Sequence, residues 1–283
     1  MMSLEKWSGL PIQMRDDYSL VFEGGLPSVA PQIREFSAMK NFLKDEIGTY
    51  WRRDVYHMYR DVSLPEHTDA IHAAKLQYDI TVIPPGRMGD EFVKTIGHYH
   101  RFKPGTQIRY PEVYEVIYGK VFELIQRASP DLERLEEVYL IEANRGEKIM
   151  VPPGFGHVSI NPADDVLVLA NWQLLDNKGI YEPYESKNGA AYYVIQSERL
   201  SNSGSLSAQY EFLPNMHYNQ LPPLVRARTR DFPQYDLRSA LPMYKTGVKN
   251  LKALEFLVNP EDYMDELTPD KLLARQNSKN EKF

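Results

Sequence analysis

His98-Tyr99-His100, Glu112-Val113-Tyr114 and Gly146-Glu147-Lys148-Ile149-Met150-Val151-Pro152-Pro153-Gly154-Phe155-Gly156-His157-Val158-Ser159-Ile160-Asn161 are the stretches that decide the reading of this chain. On a strand, residues two apart point to the same face, so His98 and His100 present their imidazoles side by side. Glu112 opens the next strand-like run, and His157 follows a Pro-Pro-Gly turn. Three neutral imidazoles and one carboxylate suit a divalent first-row ion such as iron, manganese, nickel or zinc, with two positions left for substrate or water. An ion held that way polarises neighbouring oxygens on one ligand.

The surroundings are β in character. Tyr78–Ile83 alternates, is rich in β-branched residues, and stops at Pro84-Pro85-Gly86. Similar runs follow at Val113–Ile117, Val121–Gln126, Glu137–Glu142, Lys148–Val151, Val166–Trp172 and Ala191–Ile195. Short turn-rich gaps between them predict an antiparallel sandwich or barrel and not βαβ units. Upstream, Pro11, Gly24-Gly25, Pro27 and Pro31 read as an irregular arm, Ile33–Ile47 as a short helix, Tyr50–Val62 as strand or extended chain, and 66–74 as near-helical. Beyond Gln196 the chain is rich in Ser, Asn and Pro, with a strand near Tyr210–Leu213 and helical pieces over Leu251–Leu273, interrupted at Pro260 and Pro269. That last third carries no motif tied to chemistry and reads as packing or interface.

Composition narrows the classes. The 283 residues include no cysteine, which excludes disulfides, thiolate metal sites and a cysteine nucleophile. With 33 basic against 39 acidic side chains and a formal charge of -6, no basic surface for nucleic acid is expected. Arg226-Ala227-Arg228-Thr229-Arg230 reads as a solvated loop. Apolar runs such as Val166–Ala170 are too short to span a bilayer, and the start shows no leader pattern, so a cytoplasmic protein with no membrane partner is expected. Tyrosine is abundant, 19 residues against 11 Phe, as suits a half-polar pocket or an interface.

The motifs resemble those of the cupin superfamily. Gly146, Pro152, Gly154, His157 and Asn161 meet its second motif, and His98, His100, Glu112 and Gly119 meet its first. Phe92 stands where the first motif has glycine, and the gap Arg101–Pro111 before the Glu is stretched. Thr81-x-x-Pro84-Pro85-Gly86, Thr95-Ile96-Gly97-His98-Tyr99-His100, Glu112-Val113-Tyr114, the Pro152–His157 turn and Tyr56-His57-Met58-Tyr59-Arg60 together are similar to the cupin-type (archaeal-type) glucose-6-phosphate isomerases, over about residues 35–195.

The resemblance implies a mainly all-β cupin fold, a double-stranded β-helix or jelly-roll barrel over 75–195. An N-terminal arm and helix over 1–74 would pack on it, and 196–283 would be an extension containing short helices. It implies one divalent metal ion per subunit on His98, His100, Glu112 and His157, with iron(II) the first choice and manganese, nickel or zinc the others. Thr81, Thr95 and Gly97 would lie near the sugar phosphate, which hydroxyl and N–H donors can hold without a basic cluster. Tyr114 would sit in the pocket beside Glu112 as catalytic machinery, Tyr181 would match a pocket tyrosine, and Trp172 takes the place of a family tyrosine, able to stack but offering no hydroxyl. A tyrosine before the metal-binding His is replaced by Gly154. The implied activity is interconversion of glucose 6-phosphate and fructose 6-phosphate, a step of glycolysis and gluconeogenesis, in a homodimer. Another sugar phosphate such as mannose 6-phosphate, epimerisation, dioxygenation, or a non-catalytic sugar-binding cupin are the alternatives. Read as residues alone, Thr81 and Thr95 are equally ordinary strand threonines and Tyr114 and Trp172 equally core. Glu112 is either base of an enediol route or, if hydride moves, ligand only. His57, His67, His72 and His217 read as ordinary histidines.

Overall fold

The computed structural model describes residues 1–48, 52–129, 132, 134–200, 206–239 and 241–276. Tyr50, the start of the expected extended segment, lies outside them. The strands that matter are β1 (Gln32–Glu35), β2 (Asp54–Tyr59), β3 (Leu76–Ile83), β4 (Tyr99–His100), β5 (Glu112–Tyr118), β6 (Lys120–Ala128), β7 (Leu135–Asn144), β8 (Lys148–Val151), β9 (Phe155–Ile160), β10 (Leu167–Leu174), β11 (Tyr192–Leu200), β12 (Leu206–Pro214), β13 (Leu224–Thr229) and β14 (Leu273–Arg275). The helices used below are α1 (Pro65–Ala73) and α2 (Met243–Lys249).

Two sheets share one core. The first runs β8-β5-β10-β3-β2-β1 and the second β9-β6-β7-β13-β14. An isolated antiparallel bridge between His98 and His157 brings the β4 segment alongside β9. The resulting orders, β8-β5-β10-β3 facing β4-β9-β6-β7, are those of two interleaved Greek keys, a jelly roll. Among the described residues no helix is long and apolar enough to cross a membrane.

Strand alternation has an unusual phase. On β3 the polar set Gln77, Asp79 and Thr81 alternates with Tyr78, Ile80 and Val82, yet all six are buried. Thr81 lines a cavity inside the barrel together with Asn171 and Gln173 of the neighbouring β10. The apolar set turns outward and is covered, so both faces of the strand leave water. The C-terminal extension supplies much of that cover: Tyr244 of α2 packs edge-on to Tyr78 at 5.1 Å and stacks with Trp172 at 6.0 Å.

The extension therefore belongs to the barrel's construction. β13 pairs in parallel with β7, from Val138↔Leu224 to Glu142↔Arg228, and β14 closes the edge against β13. Part of the basic cluster read as a loop, Arg226 to Thr229, is thus strand β13. Lys148 Nζ, wholly buried, donates to Glu115 Oε1 and to the carbonyls of Arg238 and Leu241, while Glu115 Oε2 accepts from Met243 N–H. One buried ion pair pins the extension to the first sheet.

Upstream, the helix expected over Ile33–Ile47 is replaced by edge strand β1, paired from Gln32↔Met58 to Glu35↔Asp54, and two short 3-10 turns. Pairing with β2 overrides the helical spacing, and Ile33 is left 44% exposed on the sheet edge. The arm before it is a small meander, Met2–Ser3, Ile12–Met14 and Leu20–Phe22, docked by Leu20 N–H donating to the Tyr59 hydroxyl. The first sheet takes strands from both sides of residue 75, since β1 and β2 extend it beyond β3.

Candidate metal centre

His98 immediately precedes β4 and His100 ends it, Glu112 opens β5, and His157 lies on β9. The ligand atoms of all four fall within 4.8 Å of one another. The stretched segment between His100 and Glu112 folds back on itself: Phe102 bridges Arg109, and Lys103 N–H donates to Ile108 O. The Arg109 guanidinium lies 3.9 Å from the Phe102 ring centroid and donates to His100 O. The insertion thus loops out and returns Glu112 to the barrel beside the histidines.

The hydrogen bonds fix what these side chains offer. His100 Nδ1 lies 2.8 Å from the Tyr110 carbonyl, which can only accept, so Nδ1 is the donor of that bond and Nε2 is the nitrogen turned toward the other clustered side chains. That Nε2 faces Glu112 Oε2 at 3.1 Å, and neither atom has a hydrogen-bond partner. His157 Nε2 is 3.3 Å from the same oxygen. Unpartnered polar atoms crowded in a buried space are what a cation would satisfy. Burial, reinforced by the neighbouring His100, pushes His98 down to about 3, and burial holds His157 well below the usual imidazole range. Both are therefore neutral at physiological pH, the form that binds a metal. The donor set and its unpaired atoms fit a divalent ion.

Around it, the Tyr114 hydroxyl lies 3.0 Å from His157 Nε2, and the Tyr181 ring is 5.3 Å from that of His98. Burial, then the Glu112 carboxylate, raises the Tyr114 phenol well above its ordinary value. Thr81 and Thr95 line the cavity, and Thr95 Oγ1 accepts from Ser159 N–H. Gly97 has a packing reason of its own: a Cβ there would come within 2.3 Å of the Tyr184 ring.

Trp172 is not brought to the site. It is fully buried on the outer face of β10, its Nε1 donating to Met243 O, and a Cβ at Gly247 would sit 2.8 Å from that nitrogen. Expecting it in the pocket misjudges strand parity: Asn171 and Gln173, on either side of it, face the cavity.

Residues not anticipated complete the wall. Asn171 Nδ2 donates to Glu112 Oε1 at 2.6 Å. Arg60 lines the cavity and pairs with Asp79 at 2.6 Å, and that buried carboxylate also accepts from Asp61 N–H, Gln77 Nε2 and Gln173 Nε2. The Asn177 carboxamide lines the same cavity with its nitrogen and oxygen buried and without partners. Arg34 Nε donates to the Tyr56 hydroxyl, which also accepts from Ile96 N–H. The signal available in sequence was polar residues at alternate strand positions, Gln77, Asp79 and Thr81 on one strand and Asn171 and Gln173 on another.

A model of the family "Glucose-6-phosphate isomerase (GPI)" matches residues 32–209. The chain belongs to the glucose-6-phosphate isomerase family. The glucose-6-phosphate isomerase of Thermococcus litoralis is 32% identical over 153 residues, covering 51% of this chain and 70% of the relative. That of Pyrococcus abyssi (strain GE5 / Orsay) is 28% identical over 165 residues, covering 56% and 76%. Among solved structures, an oxalate oxidase in complex with the substrate analogue glycolate is similar at 15% identity and a TM-score of 0.34, over 47% of this chain and 58% of that one. The glucose-6-phosphate isomerase match takes in all four clustered residues as well as Thr81, Thr95, Tyr114 and Tyr181.

Proposed function

We propose that the chain is a metal-dependent aldose–ketose isomerase interconverting glucose 6-phosphate and fructose 6-phosphate, with His98, His100, Glu112 and His157 as ligands. The observation that carries the reading is the unpartnered pair His100 Nε2 and Glu112 Oε2 inside a jelly roll of the glucose-6-phosphate isomerase family. The reaction moves a hydrogen between C1 and C2 and places negative charge on two adjacent oxygens. A bound divalent ion, with iron(II) the first candidate, would supply Lewis acidity toward those two oxygens.

The protein's own groups do the rest. The three imidazoles and the carboxylate form a ligand set held in place by its neighbours, because His100 is oriented by Tyr110 O and Glu112 by Asn171. The Tyr114 phenol, kept protonated, is a hydroxyl donor beside the ligand set. Thr81 and Thr95 offer hydroxyls to the phosphate from the cavity wall, and the Arg60 guanidinium adds positive charge to that wall. Glu112, the carboxylate of the histidine cluster, lines the cavity and would take the proton in an enediol route. Glu112→Gln that keeps its metal but loses turnover assigns it that role; loss of both leaves it a ligand. Family resemblance supports a cytoplasmic homodimer working in glycolysis and gluconeogenesis.

Conversion of fructose 6-phosphate to glucose 6-phosphate, read through a coupled dehydrogenase, tests the reading. A faster formation of mannose 6-phosphate from the same substrate would replace it with the neighbouring isomerisation.

A further inference from the structure

We propose that Asn171 is a positioning residue that holds Glu112 to one-oxygen coordination and so keeps open the second position that an aldose–ketose substrate needs. The inference rests on the metal-centre reading above.

A first-row ion that accepts six ligand atoms takes three from His98, His100 and His157. If Glu112 gives one oxygen, two positions stay free, enough for both O1 and O2 of an open-chain sugar. If Glu112 swings to give both oxygens, one position remains and the substrate can be held by a single oxygen. A carboxylate on a flexible side chain takes either form, so something must choose.

The structure supplies the choice. β5 and β10 pair antiparallel with Tyr114 opposite Asn171 and Val113 opposite Trp172, which makes Glu112 and Asn171 diagonal neighbours on the same inner face. Asn171, 2% exposed, donates from Nδ2 to Glu112 Oε1 at 2.6 Å. The other oxygen, Oε2, is the one facing His100 and His157, and it is free of hydrogen bonds. The carboxylate is thereby split, one oxygen satisfied by a charge-assisted bond and one left for the ion. Gln173, one step along the same face, is committed elsewhere, its Nε2 donating to Asp79 Oδ2 at 2.7 Å. Two carboxamides on one strand serve two different carboxylates, and only Asn171 serves the ligand.

The test compares cobalt(II)-loaded wild type with Asn171→Leu, which removes the donor at similar volume, and with Asn171→Ala, which is smaller and easier to accommodate should Leu not fold. Each is titrated with acetohydroxamate, which needs two adjacent positions, and with azide, which needs one, following the visible cobalt bands. Wild type is expected to bind both; the variants are expected to bind acetohydroxamate roughly tenfold or more weakly while azide affinity moves far less. Unchanged binding of both probes, or an equal fall in both, overturns the inference while leaving the metal centre standing. Failure of wild type to take up cobalt at all overturns the metal-centre reading and this inference with it.

Discussion

His100 Nε2 and Glu112 Oε2 stand 3.1 Å apart inside the barrel, neither with a hydrogen-bond partner. The Tyr110 carbonyl takes the far nitrogen of His100 as its donor, so Nε2 is the nitrogen turned to the carboxylate. The folded chain holds these two unpartnered atoms together through the returning 101–111 loop, and a cation bound between them would satisfy both. Metal binding should therefore stabilise the fold: a chelator-stripped sample is expected to melt lower than a reloaded one, with the melting point rising as metal is titrated. By mass action the gain is about 4 kcal/mol when free metal is 1,000 times its dissociation constant.

His157→Ala removes one ligand of four, and with it a ring only 4.4 Å from that of His98. Metal affinity is expected to fall by more than the roughly 10–100-fold that changes outside the ligand set cost. Competition with a chromophoric chelator measures it, and turnover should be lost in parallel.

Trp172→Phe separates packing from substrate contact. The indole sits under α2 with its N–H on Met243 O, on the outer face of β10. Urea denaturation is expected to show a loss of about 1–3 kcal/mol, while KM for fructose 6-phosphate stays unchanged.

Lys148→Met leaves Glu115 and the Arg238 and Leu241 carbonyls without their shared buried donor. Breaking a buried pair from one side costs about 3–5 kcal/mol, so the variant should be strongly destabilised in urea. The double variant Lys148→Met, Glu115→Leu should recover part of that loss, because no uncompensated charge is left although the Met243 N–H and the two carbonyls stay unpaired.

Glu123 gives a pH signature. It is fully buried, and desolvation pushes its carboxyl up to about 8, against the smaller opposing effect of the Ser159 hydroxyl. A folded-state value raised above the unfolded one means that the neutral acid is the stable form. Its contribution is complete below about 4.5 and is lost as pH rises through about 8. In metal-stripped protein, Glu123→Gln and wild type should melt alike near pH 4.5, and the variant should melt progressively higher than wild type toward pH 8.

How far the chain could be read in advance follows from the range of the interactions involved. The ligand set is local, a strand pair of histidines, a strand start and a Pro-Pro-Gly turn, and the structure brings those four residues together. The barrel strands are equally local in pattern, and Lys148–Val151 has the bounds expected of it. Strand parity at Trp172 was not legible, because alternation alone does not say which face is inside. In this barrel the inner face of β3 and β10 is polar around the cavity, and the outer face is apolar because α2 covers it. That cover, the parallel β13–β7 pairing and the Lys148 clasp are contacts between residues some 70 to 170 positions apart. The edge strand at Ile33 failed for the same reason: its helical spacing is real, but its partner β2 lies more than 20 residues on.

The most direct test of the central claim is the rate of fructose 6-phosphate conversion to glucose 6-phosphate by chelator-stripped protein, before and after reloading with iron(II), manganese(II), nickel(II) or zinc(II). The account predicts negligible turnover when stripped and its return with at least one of these ions at about one metal per chain. Full turnover by the stripped protein would contradict it, and so would no turnover with any ion bound at that ratio.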